Sequence, residues 1–197
     1  MKQNSFFSMV ITLGLVTAAA AVSLGFVYDF TKEPIEKARQ ERQLRAINAV
    51  LPDYQNDPIL DVFYLHTDKD SLACYPAIID GDTVAFAVRS FCDSGYSGRI
   101  WVMAGFDPQG NILKAEVVEH KETPGLGSKM TTEKFKGQYE GLNPGETDIN
   151  VKKDGGTIDA ISGATISSRA FSHSVRKAYR KLFKKGQGNK EDHDHEH

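Results

Sequence analysis

The segment IWVMAGFDPQGNILKAEVVE, residues 100 to 119, decides the fold that this sequence predicts. Two apolar runs, Ile100 to Phe106 and Ile112 to Glu119, flank the turn-forming residues Asp107 to Asn111. Clusters of Pro, Gly, Asn and Asp between such runs are typical of hairpin turns. A connection this short cannot cross over to a parallel strand. The sequence therefore predicts a mainly antiparallel sheet with packed helices, which is an α+β fold.

Further sheet is predicted on either side of this segment. Ala77 to Ile79 and Thr83 to Val88 flank an Asp80-Gly81-Asp82 turn, and the second run alternates as a half-buried strand should. A last hairpin is predicted from Ile149 to Lys152 and from Thr157 to Ile161, around Asp154-Gly155-Gly156. A short apolar segment at Val62 to Leu65 precedes the sheet.

Helices are predicted between and after the strands. A short helix is expected over Thr131 to Tyr139, and a final helix runs from about Ile166 to Lys184. The final helix has apolar residues at helical spacing that should pack on the sheet: Phe171, Val175, Ala178 and Leu182. Gly186 to His197 is predicted to be a disordered acidic tail, with weak divalent metal binding through its histidines (His193, His195 and His197) as the alternative.

The N-terminal region is apolar enough to cross a membrane. Phe6 to Tyr28 has no charge, and a helix of that length reaches roughly 34 Å. A cleaved signal peptide is the alternative, because Ala18 to Ala21 offers small residues, but signal h-regions are only about 7–15 residues long. Thr31 to Val50 is predicted to be a charged helix with Pro34 in its first turn. The predicted domains are a transmembrane anchor (1–30), a connector helix (31–55), a folded domain (56–185) and the tail (186–197).

Composition excludes several classes of function. The formal net charge is −2 and no basic stripe is present, so nucleic-acid binding is not predicted. The two cysteines, Cys74 and Cys92, form no C-x-x-C motif, so no metal site is assigned. If Asp80 and Thr83 close the first hairpin, Cys74 lies opposite Arg89, about 10 Å along the strand from Cys92. A disulfide between the two cysteines is therefore not expected.

The stretch Asp159-Ala160-Ile161-Ser162-Gly163-Ala164-Thr165 immediately precedes the final helix. One interpretation is structural: Thr165 is an N-cap whose hydroxyl accepts an early helix N–H. The other rests on similarity. Asp-x-x-Ser-Gly-Ala-Thr resembles the flavinylation motif of the FMN-binding domain in the G subunit of Rnf complexes, which is related to a domain in the C subunit of the Na⁺-translocating NADH:quinone reductase. The resemblance implies that a flavin transferase uses FAD to attach FMN, through its phosphate, to Thr165.

Two more segments resemble motifs of the same family, in the family's order: Gly95-Tyr96-Ser97-Gly98 and Glu122-Thr123-Pro124-Gly125-Leu126-Gly127. The short chain resembles the Rnf G subunit more than the longer C subunit. By this resemblance Ser162, Gly163 and Ala164 shape the phosphate end. The isoalloxazine is lined by Glu122, Thr123, Gly125, Leu126 and Gly127, with Leu126 as apolar contact and backbone N–H groups aimed at flavin heteroatoms. Tyr96 stacks on or bounds the pocket, and Lys129 offsets negative charge on the reduced flavin.

Other polar residues near these motifs have weaker assignments. His120 and His173 are further candidates for the flavin site, and surface or packing roles are the alternative for both. Asp159 is expected to matter to the modifying transferase, or to be a turn residue. No catalytic residue is assigned.

The resemblance implies a membrane-anchored flavoprotein that relays electrons in a complex coupling ferredoxin/NAD electron transfer to Na⁺ or H⁺ translocation. Its partners would be other membrane and redox subunits, the flavin transferase and membrane lipid. One alternative is an anchored assembly or binding subunit without redox chemistry, and another is the quinone-reductase C subunit. A hydrolase using Ser97 or Thr165 lacks a base at recognisable spacing.

Orientation in the membrane is predicted differently by charge and by resemblance. Basic residues crowd the segment after the apolar run: Lys32, Lys37, Arg39, Arg42 and Arg45. A count of positive charges would place the folded domain in the cytoplasm. The resemblance implies the periplasmic or extracytoplasmic side of the cytoplasmic membrane, and large domains translocate largely regardless of charge. We follow the resemblance.

Overall fold

The sheet is a five-stranded antiparallel meander in which each strand pairs with the next along the chain. Its strands are β1 (Phe63–His66), β2 (Ser71–Ile79), β3 (Asp82–Cys92), β4 (Ile100–Phe106) and β5 (Ile112–Glu119). The computed structural model describes residues 3–66 and 70–183. The predicted tail and its histidines lie outside the described residues. The predicted antiparallel sheet is confirmed, and β4 and β5 have the bounds that the sequence predicted.

The first hairpin has a different turn from the predicted one. Asp80 and Gly81 both have positive φ, 53° and 90°, and Ile79 pairs with Asp82. Positive φ at both central residues defines a type I′ turn, for which Asp-Gly is a preferred pair. The prediction placed this turn one residue too late.

The same hairpin sets the positions of the two cysteines. The earlier turn alone would move the position opposite Cys74 from Arg89 to Ala87. A bulge between Ala77 and Ile78 moves it on by one residue, so Cys74 lies opposite Val88. Cys92 is therefore about 13 Å along the strand from the position facing Cys74. Both cysteines are buried and free, so the geometry agrees with two unbonded thiols.

Among the described residues, three α-helices accompany the sheet: α1 (Gln3–Val50), α2 (Glu133–Lys136) and α3 (Thr165–Phe183). Short 3₁₀ turns precede and follow α2, at Gly127–Thr131 and Gly137–Tyr139. The short helix predicted over Thr131 to Tyr139 is thus divided into pieces. The final helix begins one residue earlier than predicted, at Thr165, and its predicted apolar residues Phe171, Val175 and Ala178 are fully buried.

The predicted anchor and connector form one continuous helix, α1. Pro34 was predicted to lie in the first turn of a separate helix, and it lies inside α1 instead. An interior proline removes one backbone hydrogen bond and crowds the carbonyl four residues earlier. Two side-chain contacts lie beside it. The Thr31 hydroxyl donates to the Val27 carbonyl at 2.7 Å, and Lys37 pairs with Glu33 at 2.7 Å. The apolar part is long enough to cross a membrane, and its side chains are unburied.

Cα packing divides the chain into two units, one ending at Gln43 and the next beginning at Leu44. The second unit therefore starts before residue 56, where the domain was predicted to begin. The last turns of α1 belong to it, because Ala46, Ile47 and Val50 are buried in its core.

Within the second unit the sheet has a core on each face. Val88, Val102 and Ala104 contribute to the core that contains α3, together with Phe106 and Phe171. Alternate residues of the same strands, including Tyr75, Ala87 and Met103, pack with the end of α1. Successive side chains in a strand point to opposite faces, which explains the alternation. The α3 face is the one that positions the candidate site.

The predicted last hairpin is wrong. A 3₁₀ turn, Lys152–Asp154, stands there, and an isolated bridge joins Val151 to Ile158 in parallel orientation. Gly155 adopts a left-handed conformation with φ 87°. A Cβ on Gly156 would lie 2.1 Å from the Asn150 carbonyl oxygen. The chain folds back too tightly at these glycines for two paired strands to form.

Candidate functional site

The N-terminus of α3 places Thr165 at the surface of the domain. Thr165 is half-buried, Ser162 and Gly163 are exposed, and Ala164 is buried. Gly163 has φ 77°, a conformation that favours glycine, and the Ala164 N–H donates to the Ile161 carbonyl at 2.9 Å. The motif therefore forms a tight turn that leads directly into the helix.

Ser168, not Thr165, fixes this turn. Its hydroxyl accepts the Ile161 N–H at 3.0 Å and donates to the Ala164 carbonyl at 3.0 Å. The Ala164 carbonyl also accepts the Ser168 N–H at 3.1 Å. That is the first intrahelical bond, so Ala164 occupies the N-cap position and Thr165 the first helical one. The interpretation of Thr165 as an N-cap is wrong, and no described residue forms a hydrogen bond with its hydroxyl.

The loop from Thr123 to Ser128 is closed by its own hydrogen bonds. The Thr123 carbonyl accepts the N–H groups of Leu126 and Ser128 at 3.2 and 3.3 Å. The Ser128 hydroxyl accepts the Gly125 N–H at 2.9 Å. The N–H groups of Gly125 and Leu126 are thus engaged within the loop. Thr123, Pro124 and Lys129 are exposed.

Leu126 connects this loop to the turn before α3. Its side chain is 45% exposed, and its Cδ2 lies 3.5 Å from where a Cβ on Gly163 would stand. Ile166, next to Thr165, is also 45% exposed, and Tyr96 in the third motif is 71% exposed. Three large apolar side chains from the three motif segments are therefore left open to a ligand.

Glu122 links two of the motif segments to the first turn of α3. It is only 4% exposed. Its Oε1 accepts the Ser97 N–H at 3.1 Å, and its Oε2 accepts the Ser167 hydroxyl at 2.9 Å. Its own N–H donates to His120 Nδ1 at 3.1 Å. The carboxylate, which the resemblance places along the isoalloxazine, accepts hydrogen bonds from Ser97 and Ser167 in this structure.

Two glycines pack directly against this carboxylate. A Cβ on Gly95 would lie 2.8 Å from Glu122 Oε1 and 2.2 Å from the Gly98 carbonyl oxygen. A Cβ on Gly127 would lie 2.6 Å from both Glu122 Oε2 and Ser167 Oγ. Real Cβ atoms do not come this close, so only glycine fits at either position.

Ser167 is a site residue that sequence reasoning missed. It is 1% exposed and stands two positions after Thr165. Its partner Glu122 is 45 positions away in the chain, so no local pattern predicts the contact. The sequence offers one signal for such a contact, a carboxylate inside a glycine-rich loop. If that carboxylate is buried, it requires hydrogen-bond donors from elsewhere in the chain.

The remaining predicted residues lie at the periphery. Asp159 is exposed and pairs with Lys152 at 2.8 Å. Gln138 holds the Asp159 backbone, accepting its N–H at 2.8 Å and donating to its carbonyl at 3.3 Å. His120 is half-buried and engaged by Glu122, whereas His173 is exposed on α3. Within residues 3–66 and 70–183, no group of three His, Cys, Asp or Glu is placed to hold a metal ion.

These residues fit a phosphate ester of a flavin. The first N–H groups of a helix have no intrahelical partners, and the helix dipole places partial positive charge there. An anion attached at Thr165 would be stabilised at this end of α3. The exposed apolar side chains of Leu126, Ile166 and Tyr96 offer surface for an aromatic ring.

Comparison with known proteins identifies the chain. The family model described as an FMN-binding domain matches residues 95–180, and the RnfG N-terminal region matches residues 1–50. The relatives are G subunits of ion-translocating oxidoreductase complexes. The Haemophilus influenzae (strain PittEE) protein is 33% identical, covering 85% of this chain and 86% of that one. The Stutzerimonas stutzeri protein is 36% identical, covering 85% and 77%.

Among solved structures, Shewanella oneidensis NqrC is 20% identical with a TM-score of 0.45, covering 64% of this chain and 62% of that one. This chain therefore spans less than two thirds of that structure. The C-subunit alternative is not favoured, because the family model that matches residues 1–50 is that of RnfG and the curated relatives are G subunits. The chain belongs to the family of G subunits of ion-translocating oxidoreductase complexes, and it contains an FMN-binding domain.

Proposed function

We propose that this chain is the membrane-anchored flavoprotein electron carrier of an Rnf-type complex, with FMN bound covalently through its phosphate to Thr165. The observation that carries the proposal is the half-buried Thr165, which opens α3 inside the matched FMN-binding domain. The complex would couple electron transfer between ferredoxin and NAD to the movement of Na⁺ or H⁺. The other redox and membrane subunits of that complex would be this chain's partners.

Thr165 has the chemistry that attachment needs. Its hydroxyl oxygen forms the new P–O bond, while the phosphoanhydride of FAD breaks, AMP leaves and the hydroxyl proton is released. Gly163 and Ala164 add little side-chain bulk beside it, so a transferase can approach the backbone closely. The exposed Asp159 and Ser162 lie on the same segment and would be accessible to that enzyme.

Covalent attachment suits a site outside the cytoplasm. The occupancy of a reversible site falls with the concentration of free ligand, and a covalent bond removes that dependence. The phosphodiester keeps a negative charge, which the N-terminus of α3 would stabilise by about 0.3–1 kcal/mol. Ser162, Gly163 and Ala164 would surround this phosphate end.

The ring would lie against the exposed surface of the neighbouring loops. Bound FMN supplies a reversible electron acceptor and donor. Leu126 and Tyr96 would provide apolar contact, and Thr123, Gly125 and Gly127 would shape the loop beneath. Lys129 is exposed in the same loop, and its positive charge would offset negative charge that develops on reduction.

The test of attachment uses three variants of the full chain, produced together with its flavin transferase. After denaturation on a gel, the wild type and Thr165→Ser should fluoresce as flavoproteins, because both carry a hydroxyl at this position. Thr165→Val should not. Thr147→Val is the matched control, because Thr147 is also half-buried but lies outside the motifs. Fluorescence of denatured Thr165→Val would place the attachment elsewhere.

A further inference from the structure

Glu122 presents a physical problem that the proposed flavin chemistry does not explain. Its carboxylate is buried, and within the described ranges no lysine or arginine forms an ion pair with it. A buried charge is costly unless hydrogen bonds replace its hydration. Here two donors do so, the Ser97 N–H on Oε1 and the Ser167 hydroxyl on Oε2. A costly arrangement of this kind needs a structural or functional reason.

The donors come from separate parts of the chain. Ser97 belongs to the Gly95–Gly98 loop between β3 and β4, and Ser167 lies in the first turn of α3. Glu122 itself begins the loop that follows β5. One carboxylate therefore connects three segments that are not paired to one another as strands. We call this arrangement, Glu122 with Ser97 and Ser167, the Glu122 clamp.

Close packing makes the Glu122 clamp rigid. Gly95 and Gly127 have no room for a Cβ because the two carboxylate oxygens stand at 2.8 and 2.6 Å from those positions. The Ser167 hydroxyl lies at 2.6 Å from the same point beside Gly127. The carboxylate cannot turn away without opening space between these segments.

The Glu122 clamp also determines where Thr165 stands. Thr165 and Ser167 share the first turn of α3. A contact that fixes Ser167 therefore also fixes the stretch of backbone that carries the Thr165 hydroxyl. Leu126, in the loop that Glu122 begins, has its Cδ2 3.5 Å from where a Cβ on Gly163 would stand, in the turn that precedes Thr165. A misplacement of about 1 Å at a reacting group can cost about 10²-fold in rate.

We propose that Glu122 is a positioning residue for flavin attachment: its clamp on Ser167 and Ser97 holds the first turn of α3 so that the Thr165 hydroxyl is presented to the transferase. This inference rests on the proposed attachment of FMN to Thr165. Glu122 acts through Ser167 and does not itself contact the reacting atoms.

The experiment measures the initial rate of covalent flavin incorporation per folded chain. Full-length protein in membranes is incubated with limiting flavin transferase and FAD, and the denatured chain is followed by its fluorescence. Glu122→Ala and Ser167→Ala should each lower the rate at least tenfold. The double variant should be no slower than Glu122→Ala alone, because both substitutions remove the same hydrogen bond between Ser167 and Glu122. Glu119→Ala, which removes a half-buried carboxylate outside the clamp, should leave the rate unchanged.

Glu122→Gln separates positioning from a general loss of stability. Its amide oxygen can still accept the Ser97 N–H, and its amide group can donate to the Ser167 hydroxyl. This variant should therefore recover the rate to within about threefold of the wild type. Thermal unfolding of every variant reports stability separately from incorporation. If Glu122→Ala does not accumulate, Ser167→Ala decides the outcome.

The possible failures are distinguishable. If wild-type protein incorporates no covalent flavin, the proposed function fails and the positioning role fails with it. If wild type and both alanine variants incorporate flavin at equal rates per folded chain, only the positioning role is overturned. A lowered melting temperature with an unchanged rate also overturns it, because Glu122 would then serve stability alone.

Discussion

At the scale of single residues, Gly127 shows how one missing side chain allows two parts of the domain to meet. Gly127→Ala should lower the free energy of unfolding by about 1–3 kcal/mol, because its Cβ would press on Glu122 and Ser167. Gly137→Ala is the control, since Gly137 has φ −63° and nothing within 4 Å of a Cβ. It should be neutral or stabilising by up to about 1 kcal/mol. Denaturant unfolding in detergent measures both, and equal effects would contradict this account of the contact.

Cys74 gives the domain a dependence on alkaline pH. Burial raises the pKa of its thiol from 9.0 to about 12. Because the folded-state pKa is the higher one, the associated stability is present below pH 9 and is lost as pH rises towards 12. Each such group can contribute a slope of up to about 1.4 kcal/mol per pH unit. Burial also raises the pKa of Cys92, which adds to the slope.

The measurement is the free energy of unfolding between pH 8 and pH 10 for the wild type and Cys74→Ala. The wild type should lose stability over this range. The variant should lose less, because Cys74 no longer releases a proton on unfolding. Parallel curves for the two proteins would show that Cys74 titrates alike in the folded and unfolded states.

At the scale of elements, α3 organises the domain through one face. Phe171 is fully buried, and its ring lies 5.3 Å from Phe135 and 5.0 Å from Tyr139, centroid to centroid. Arg169 pairs with both oxygens of Asp154, at 2.7 and 2.6 Å, and ties the helix to the preceding loop. The helix thus connects the sheet, the α2 region and the attachment motif.

Phe171→Ala should destabilise the domain by about 3–5 kcal/mol, because it leaves a cavity between α3 and α2. Ser172→Ala is a smaller change on the same helix. The Ser172 hydroxyl is hydrogen-bonded to the Tyr139 hydroxyl at 2.7 Å, and its loss should cost about 1–3 kcal/mol. Chemical denaturation measures the free energy of unfolding of both variants, and Phe171→Ala should lose more of it. A smaller effect for Phe171→Ala than for Ser172→Ala would contradict the packing argument.

The sequence predicts elements best where the determinants are local. β4 and β5 follow from the Asp107–Asn111 turn, and α3 follows from apolar spacing. The first turn was misplaced by one residue because Gly81-Asp82 was taken as its centre, although Asp80-Gly81, both with positive φ, is the pair that a type I′ turn prefers. The prediction of the last hairpin was wrong because the chain folds back closely on itself at Gly155 and Gly156 and does not form two paired strands there.

In the candidate site, too, the features with local determinants could be predicted and those that depend on distant contacts could not. The three motif segments were predicted from sequence, and the structure brings two of them to Glu122 and the third to Leu126 and Ser167. The direction of the Glu122 side chain and the part played by Ser167 could not be predicted. Both depend on a contact across 45 positions of sequence, which only the folded sheet brings together.

At the scale of the whole molecule, the side of the membrane that the domain faces is a prediction. We expect residues beyond α1 to lie outside the cytoplasm, because the proposed function needs a covalent flavin where free FMN is scarce. Protease added to intact spheroplasts should digest the domain and leave a fragment containing the apolar part of α1. Digestion only after the membrane is opened would place the domain in the cytoplasm, as the basic residues after the apolar run favour.

We propose that Thr165 carries FMN through a phosphodiester. Intact mass spectrometry of the purified full chain, followed by peptide mapping, tests it most directly. The chain should be heavier than its sequence by one FMN less one water, with the added mass on the peptide containing Thr165. Thr165→Val should have the mass of its sequence alone. An unmodified wild-type chain from cells that contain the transferase, or a flavin on another residue, would show that Thr165 is not the attachment site.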